Sequence, residues 1–125
     1  MNIVATTVAL NVGDVAASSM FFTTHLGFRE ALSQEELVAL SRDDGAVDIL
    51  LQQRSLEEPP SPRLADVIVS FTVTDIAAEH ERLRGEGANI TVPLHHEPWG
   101  EWALRLTDPN GVVVQLVEWI PPFRD

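Results

Sequence analysis

The sequence predicts an α+β fold in which one strand–helix–strands unit is built twice. Val8–Ala17, VALNVGDVAA, returns as Val69–Ala78, VSFTVTDIAA, at a fixed spacing of 61 residues, and half of the positions are identical. Identity at that level over so short a window marks an internal duplication. In each copy, apolar residues alternate as in a half-buried strand and then meet an aspartate placed to cap a helix. The closing hairpins also align, now at a spacing of 66, which pairs Leu40 with Leu106, Gly45 with Gly111 and Leu50 with Leu116. Two such units are expected to curl their sheets around a shared cleft, with the helices outside.

The elements follow in order. Ile3–Val12 reads as a strand with Val8, Leu10 and Val12 on one face and Thr7, Ala9 and Asn11 on the other. Asp14 offers a carboxylate to the free N–H groups of a helix that runs to about Leu26, where Gly27 ends it. Arg29–Ala31 and Glu36–Leu40 read as strands, Arg42–Gly45 as a turn and Ala46–Gln52 as the returning strand. Residues 54–65, RSLEEPPSPRLA, lack periodicity and read as a linker. In the second copy, Val67–Val73 is a strand and Asp75 opens a helix to about Arg84, which Gly85 and Gly87 end. Asn89–Leu94 and Glu101–Thr107 are strands, Asp108-Pro-Asn-Gly111 is a turn, and Val112–Trp119 closes the sheet. The chain is thus read as one domain over 1–125, with modules 1–53 and 66–125.

Composition narrows the function. Apolar residues make up 45% of the 125, an ordinary globular share, and no apolar run approaches a membrane span. MNIVATTVAL lacks a basic flank and a cleavage site, so it reads as a strand rather than a signal peptide. Cysteine is absent, which excludes thiolate catalysis and Cys-type zinc sites and suits a cytoplasmic protein. Net charge is −11 and lysine does not occur, which disfavours nucleic acid and anionic membranes as partners. The acidic field favours a cationic small ligand.

VALNVGDVAASSMFFTTHLGF, with Phe21-Phe22 and Leu26-Gly27-Phe28, resembles the opening of the vicinal-oxygen-chelate superfamily of glyoxalases, bleomycin-resistance proteins and extradiol dioxygenases. PWGEWALRLTDPNGVVVQLVEW resembles that family's second signature, and the likeness spans essentially the whole chain. The fold it implies is paired βαβββ modules forming a cup-shaped mixed sheet. Enzymes of the family hold a divalent metal with four side chains, whose positions fall here on Thr7, Ile49, Ile68 and Gln115. A hydroxyl, an amide and two hydrocarbons are a poor donor set for such an ion, so no metal or other cofactor is expected.

Other candidates follow from residue type. His95 and His96 are adjacent, so a strand would point them to opposite faces, while His25 and His80 read as helix-surface residues. Strand parity from Gln115 places Val113, Val117 and Trp119 on its face, and Asp48 and Glu118 away from the cup. Aromatic walls suit planar or cationic ligands. The expected ligand-binding set is therefore Trp99, Trp102 and Trp119 as walls, with Thr7, Ser70 and Gln115 as polar contacts; Asn11 and Thr72 face the same way. The resemblance implies reversible capture of a small, cationic or aromatic organic molecule by a homodimer, akin to drug-sequestering resistance proteins. The alternative is a metal-dependent lyase, isomerase or dioxygenase of the same fold.

Overall fold

The computed structural model describes residues 2–54 and 67–119, which fall into two compact units, one in each half of the chain. In the first unit the order is β1 (Thr7–Val12), α1 (Val15–Leu26), β2 (Arg29–Gln34), β3 (Leu37–Ser41) and β4 (Asp48–Gln53). The second repeats it with β5 (Ile68–Thr72), α2 (Ile76–Gly85), β6 (Ile90–His96), β7 (Glu101–Thr107) and β8 (Val113–Trp119). Each unit is a four-stranded mixed sheet, ordered β1-β4-β3-β2 and β5-β8-β7-β6, in which the first strand pairs in parallel with the last. Two βαβββ modules, the α+β class expected, are therefore present. Nearly all of the expected linker lies outside the described residues.

One face of each sheet is buried beneath its own helix. Val12, Val38, Leu40, Ile49 and Leu51 are buried along with Val15, Phe22 and Leu26 of α1 in the first unit, and Val69, Leu104, Leu106, Val114 and Leu116 along with Ile76 and Leu83 of α2 in the second. Phe22 is fully buried and meets Phe21 and Phe28 edge-on at 5.6 and 5.5 Å. Burying an aliphatic or aromatic side chain of this kind is worth roughly 1.5–3 kcal/mol. Helix-to-sheet packing within each module therefore fixes which residues point away from the helix.

Both predicted aspartate caps form. Asp14 accepts from the Ala17 N–H at 3.1 Å, and Asp75 from the Ala78 N–H at 3.4 Å. Asp75 holds a left-handed backbone (φ 52°), tolerable for an aspartate, and a second group steadies it. The Glu118 carboxylate at the end of β8 accepts from the Asp75 N–H (2.8 Å) and the Ile76 N–H (3.0 Å). Gln53, at the end of β4, makes the corresponding stitch by donating to the Gly13 carbonyl at 2.8 Å.

The boundaries differ in places from the sequence reading, and so does one spacing. β1 starts at Thr7 rather than Ile3, because its ladder partner begins only at Asp48; Ile3 and Val4 are exposed. β2 continues to Gln34 and turns through Glu35-Glu36 without glycine or asparagine to announce it. β6 continues to His96. The turn between β3 and β4 holds one residue more than that between β7 and β8, so β4 aligns with β8 at a spacing one less than 66. Ile49 accordingly corresponds to Val114, and it is Leu50 that corresponds to Gln115.

Two stability outcomes follow. Gly27 has φ 69°, and a Cβ there would lie 2.5 Å from Nη1 of Arg42, which is bonded to the Leu26 carbonyl. Gly27→Ala is expected to cost about 1–2 kcal/mol in urea unfolding. Glu118→Gln removes a charge from the start of α2 and is expected to cost about 0.5–1 kcal/mol, with Glu118→Ala costing more in the same assay.

Candidate functional site

The helix-free face of the β5–β8 sheet carries a row of polar side chains. Strand register brings Ser70 beside Gln115, Gln115 beside Arg105, and Arg105 beside Val92 in one row across four strands. The three polar side chains interlock: Arg105 Nε donates to Gln115 Oε1 at 3.0 Å, and Gln115 Nε2 donates to Ser70 Oγ at 3.4 Å. A guanidinium only donates, so the Gln115 amide must turn its oxygen towards it. Arg105 and Gln115 are half-buried and Ser70 is exposed.

The neighbouring row along the strands holds Thr72, Val117, Ala103 and His95. His95 has both ring nitrogens occupied, one at 3.0 Å from the Pro93 carbonyl and the other at 2.9 Å from the Glu97 carboxylate. Beyond it Glu101 pairs with Trp119, and the Trp99 indole N–H points at Glu101 from 3.4 Å. Trp119 and Trp99 are 54% and 58% exposed, large apolar surfaces left uncovered at this end of the sheet.

The expected site residues are thus only partly brought together. Ser70, Gln115 and Trp119 share one face, and Trp99 stands at its end. Trp102 points to the other face, where it stacks on His96 with ring centroids 4.7 Å apart, because its neighbours on β7, Ala103 and Arg105, define the opposite parity. Thr7 lies on the helix-free face of the first sheet, opposite Asp48 on β4, with Asn11 opposite Gln52. Asp48 was expected to point away from that face; the register puts it there, because β4 is one residue out of step with the sequence alignment. Glu118 does turn away, to the start of α2. Arg105 is absent from the expected set; its pairing with Gln115 brings it into the row.

The metal positions can now be judged by chemistry. Ile49 is fully buried against the helix, so its place passes to Leu50, and the set becomes Thr7, Leu50, Ile68 and Gln115. Gln115 is already committed to Arg105, a cation. These donors do not fit a divalent metal, which wants several carboxylate, imidazole or comparable donors around one point. Among the described residues no three His, Asp or Glu side chains converge on a metal site.

Two acidic features are structural. Asp108 is buried and accepts from the Asn110 and Val112 N–H groups, both at 2.8 Å, which builds the turn before β8. A surface depression bounded by Gly27, Arg29, Arg42, Asp43 and Asp44 is filled by ion pairs, Arg29–Asp43 at 2.8 Å and Arg42–Asp44 at 2.7 Å.

A family model described as the Glyoxalase/Bleomycin resistance protein/Dioxygenase superfamily matches residues 4–116. The chain belongs to this superfamily. Among solved structures, a superfamily member from Sphaerobacter thermophilus aligns with TM-score 0.73 and 22% identity, covering 94% of this chain and 98% of that one. TioX from Micromonospora sp. ML1 aligns at 0.72 and 20%, covering 93% and 98%. A lactoylglutathione lyase from Agrobacterium tumefaciens aligns at 0.70 and 22%, covering 90% of each chain. These likenesses concern the fold of the glyoxalase/bleomycin resistance superfamily and not its activities. No curated protein matches the chain.

The Arg42 guanidinium, donating to both oxygens of Asp44, holds that carboxyl below the usual aspartate range. Its small contribution is present above the unfolded value and is lost as pH falls through the depressed one. In an NMR titration the Asp44 midpoint is expected below the ordinary value, and Arg42→Met is expected to raise it, with the Ala46 N–H bond keeping part of the shift.

Proposed function

We propose that this chain is a small-molecule binding protein of the glyoxalase/bleomycin resistance superfamily that captures its ligand without a divalent metal. The ligand lies on the helix-free face of the β5–β8 sheet. The observation that carries the reading is the Ser70–Gln115–Arg105 row, in which Gln115, at a position where the family's enzymes carry a metal donor, is bonded instead to a guanidinium and a hydroxyl. A few convergent polar groups beside apolar and aromatic surface is the composition of a small-molecule site. Trp119 and Trp99 supply the aromatic part, and Val117 the aliphatic floor between them and the polar row, with Val113 on the row's other side. Trp102 is left out, since it stacks on His96 on the other face. A second copy of the chain completes the binding site.

Two measurements test this. After incubation with Zn²⁺, Mn²⁺, Fe²⁺ or Ni²⁺ and desalting, the protein is expected to retain far less than one ion per chain. A panel of aromatic and aliphatic organic molecules is expected to include ligands that quench tryptophan fluorescence, with the response reduced in Trp119→Ala. Near-stoichiometric retention that depends on Gln115 would overturn the proposal in favour of a metal-dependent enzyme. The homodimer is checked by light scattering, where twice the chain mass of 13.8 kDa is expected.

A further inference from the structure

Arginine is the only long cationic side chain in this protein, and the described arginines differ sharply in their partners. Arg29 is paired with Asp43, Arg42 with Asp44, Arg82 with Glu79 and Glu86, and Arg84 with Glu81. Among the described residues, only Arg54 and Arg105 lack a carboxylate partner. Arg54 is exposed at the end of the first unit. Arg105 is half-buried in the middle of a sheet face, and its one hydrogen bond uses Nε and leaves both terminal nitrogens unengaged. In a chain with 19 acidic residues against 8 basic, an uncompensated guanidinium in such a place is the unusual feature.

The row beside it is donor-rich. Gln115 satisfies Arg105 Nε with its oxygen, which fixes the plane of the guanidinium, and passes a hydrogen bond to the Ser70 oxygen. The Ser70 hydroxyl proton remains to be given outward, as do the four N–H groups on the terminal nitrogens of Arg105. A planar fork with a further hydroxyl donor matches the oxygens of a carboxylate or a tetrahedral oxyanion, and ion-assisted hydrogen bonds of this kind are about twice as strong as neutral ones. The chain's overall negative charge argues for a cation only at long range, since exposed charges are screened beyond roughly 8–10 Å in physiological salt. At contact distance the local guanidinium decides.

We propose that the ligand of this face carries an oxyanion, a carboxylate or a phosphonate, bound by Arg105 and Ser70 with Gln115 as the positioning residue. This deepens the small-molecule reading and rests on it. The hydrophobic part of the ligand lies towards Val117 and Trp119, two and four residues along β8 from Gln115 and so about 7 and 13 Å away.

The test uses ¹⁵N-labelled full-length protein and four probes sharing one ring system: 2-naphthoate, 2-naphthylphosphonate, 2-naphthamide and 2-(aminomethyl)naphthalene. Shifts are followed at the Arg105 Nε, the Gln115 amide and the tryptophan indoles. At least one anionic probe is expected to bind roughly tenfold or more tightly than the amide and the amine. The carboxylate and the phosphonate together tell planar from tetrahedral oxyanions. Arg105→Met is expected to abolish the preference, and Arg105→Lys to keep a weakened form of it, which separates lost charge from lost folding. Equal or tighter binding of the amide or amine at the same resonances, unaltered by Arg105→Met, would overturn the oxyanion proposal and leave the binding face standing. Failure of all four probes to perturb the face would overturn both.

Discussion

Everything on the useful face of each sheet depends on the burial of the opposite face beneath a helix. With Leu104, Leu106, Val114 and Leu116 held against α2, the alternation of a strand leaves no freedom for Arg105 and Gln115 to point anywhere but outward. A slip of one residue would bury the guanidinium and expose the leucines, at a cost of several core side chains. The polar row is therefore positioned by the hydrophobic core behind it and by its own two hydrogen bonds.

The duplicated modules show what this separation of faces permits. Scaffold interactions recur: aspartate caps at Asp14 and Asp75, and stitches from the last strand to the helix start at Gln53 and Glu118. The outward rows do not recur. Where the second module has Ser70, Gln115 and Arg105, the first has Ala9, Leu50 and Ala39 at corresponding register positions. Chemistry has diverged on one side of the sheet while packing was kept on the other.

The same constraint explains what could be read from the sequence. Period-two alternation, the two aspartates, Gly27 and the Asp108–Gly111 turn have local causes, so the element order and class were legible. A single spacing carried across the first hairpin was not reliable, because the turn from Arg42 to Val47 is one residue longer than its counterpart and transfers that residue to β4. One residue on a strand reverses a face, so the spacing of 66 puts Ile49 and Asp48 on the wrong sides. Residue type groups Trp102 with Trp119, whereas parity separates them. For Arg105 the alternation with Leu104 and Leu106 gives the face, but its partner Gln115 is revealed only by the pairing of β7 with β8.

The isolation of Arg105 in an acidic protein has a kinetic side. An anion approaching a chain of net charge −11 is repelled until it comes within contact range, where one guanidinium takes hold. Added salt screens both effects but acts on different steps, hastening the encounter while shortening the life of the complex. A site built this way selects by residence time rather than by capture rate. It admits anions slowly and holds those whose hydrophobic part also fits the strand face.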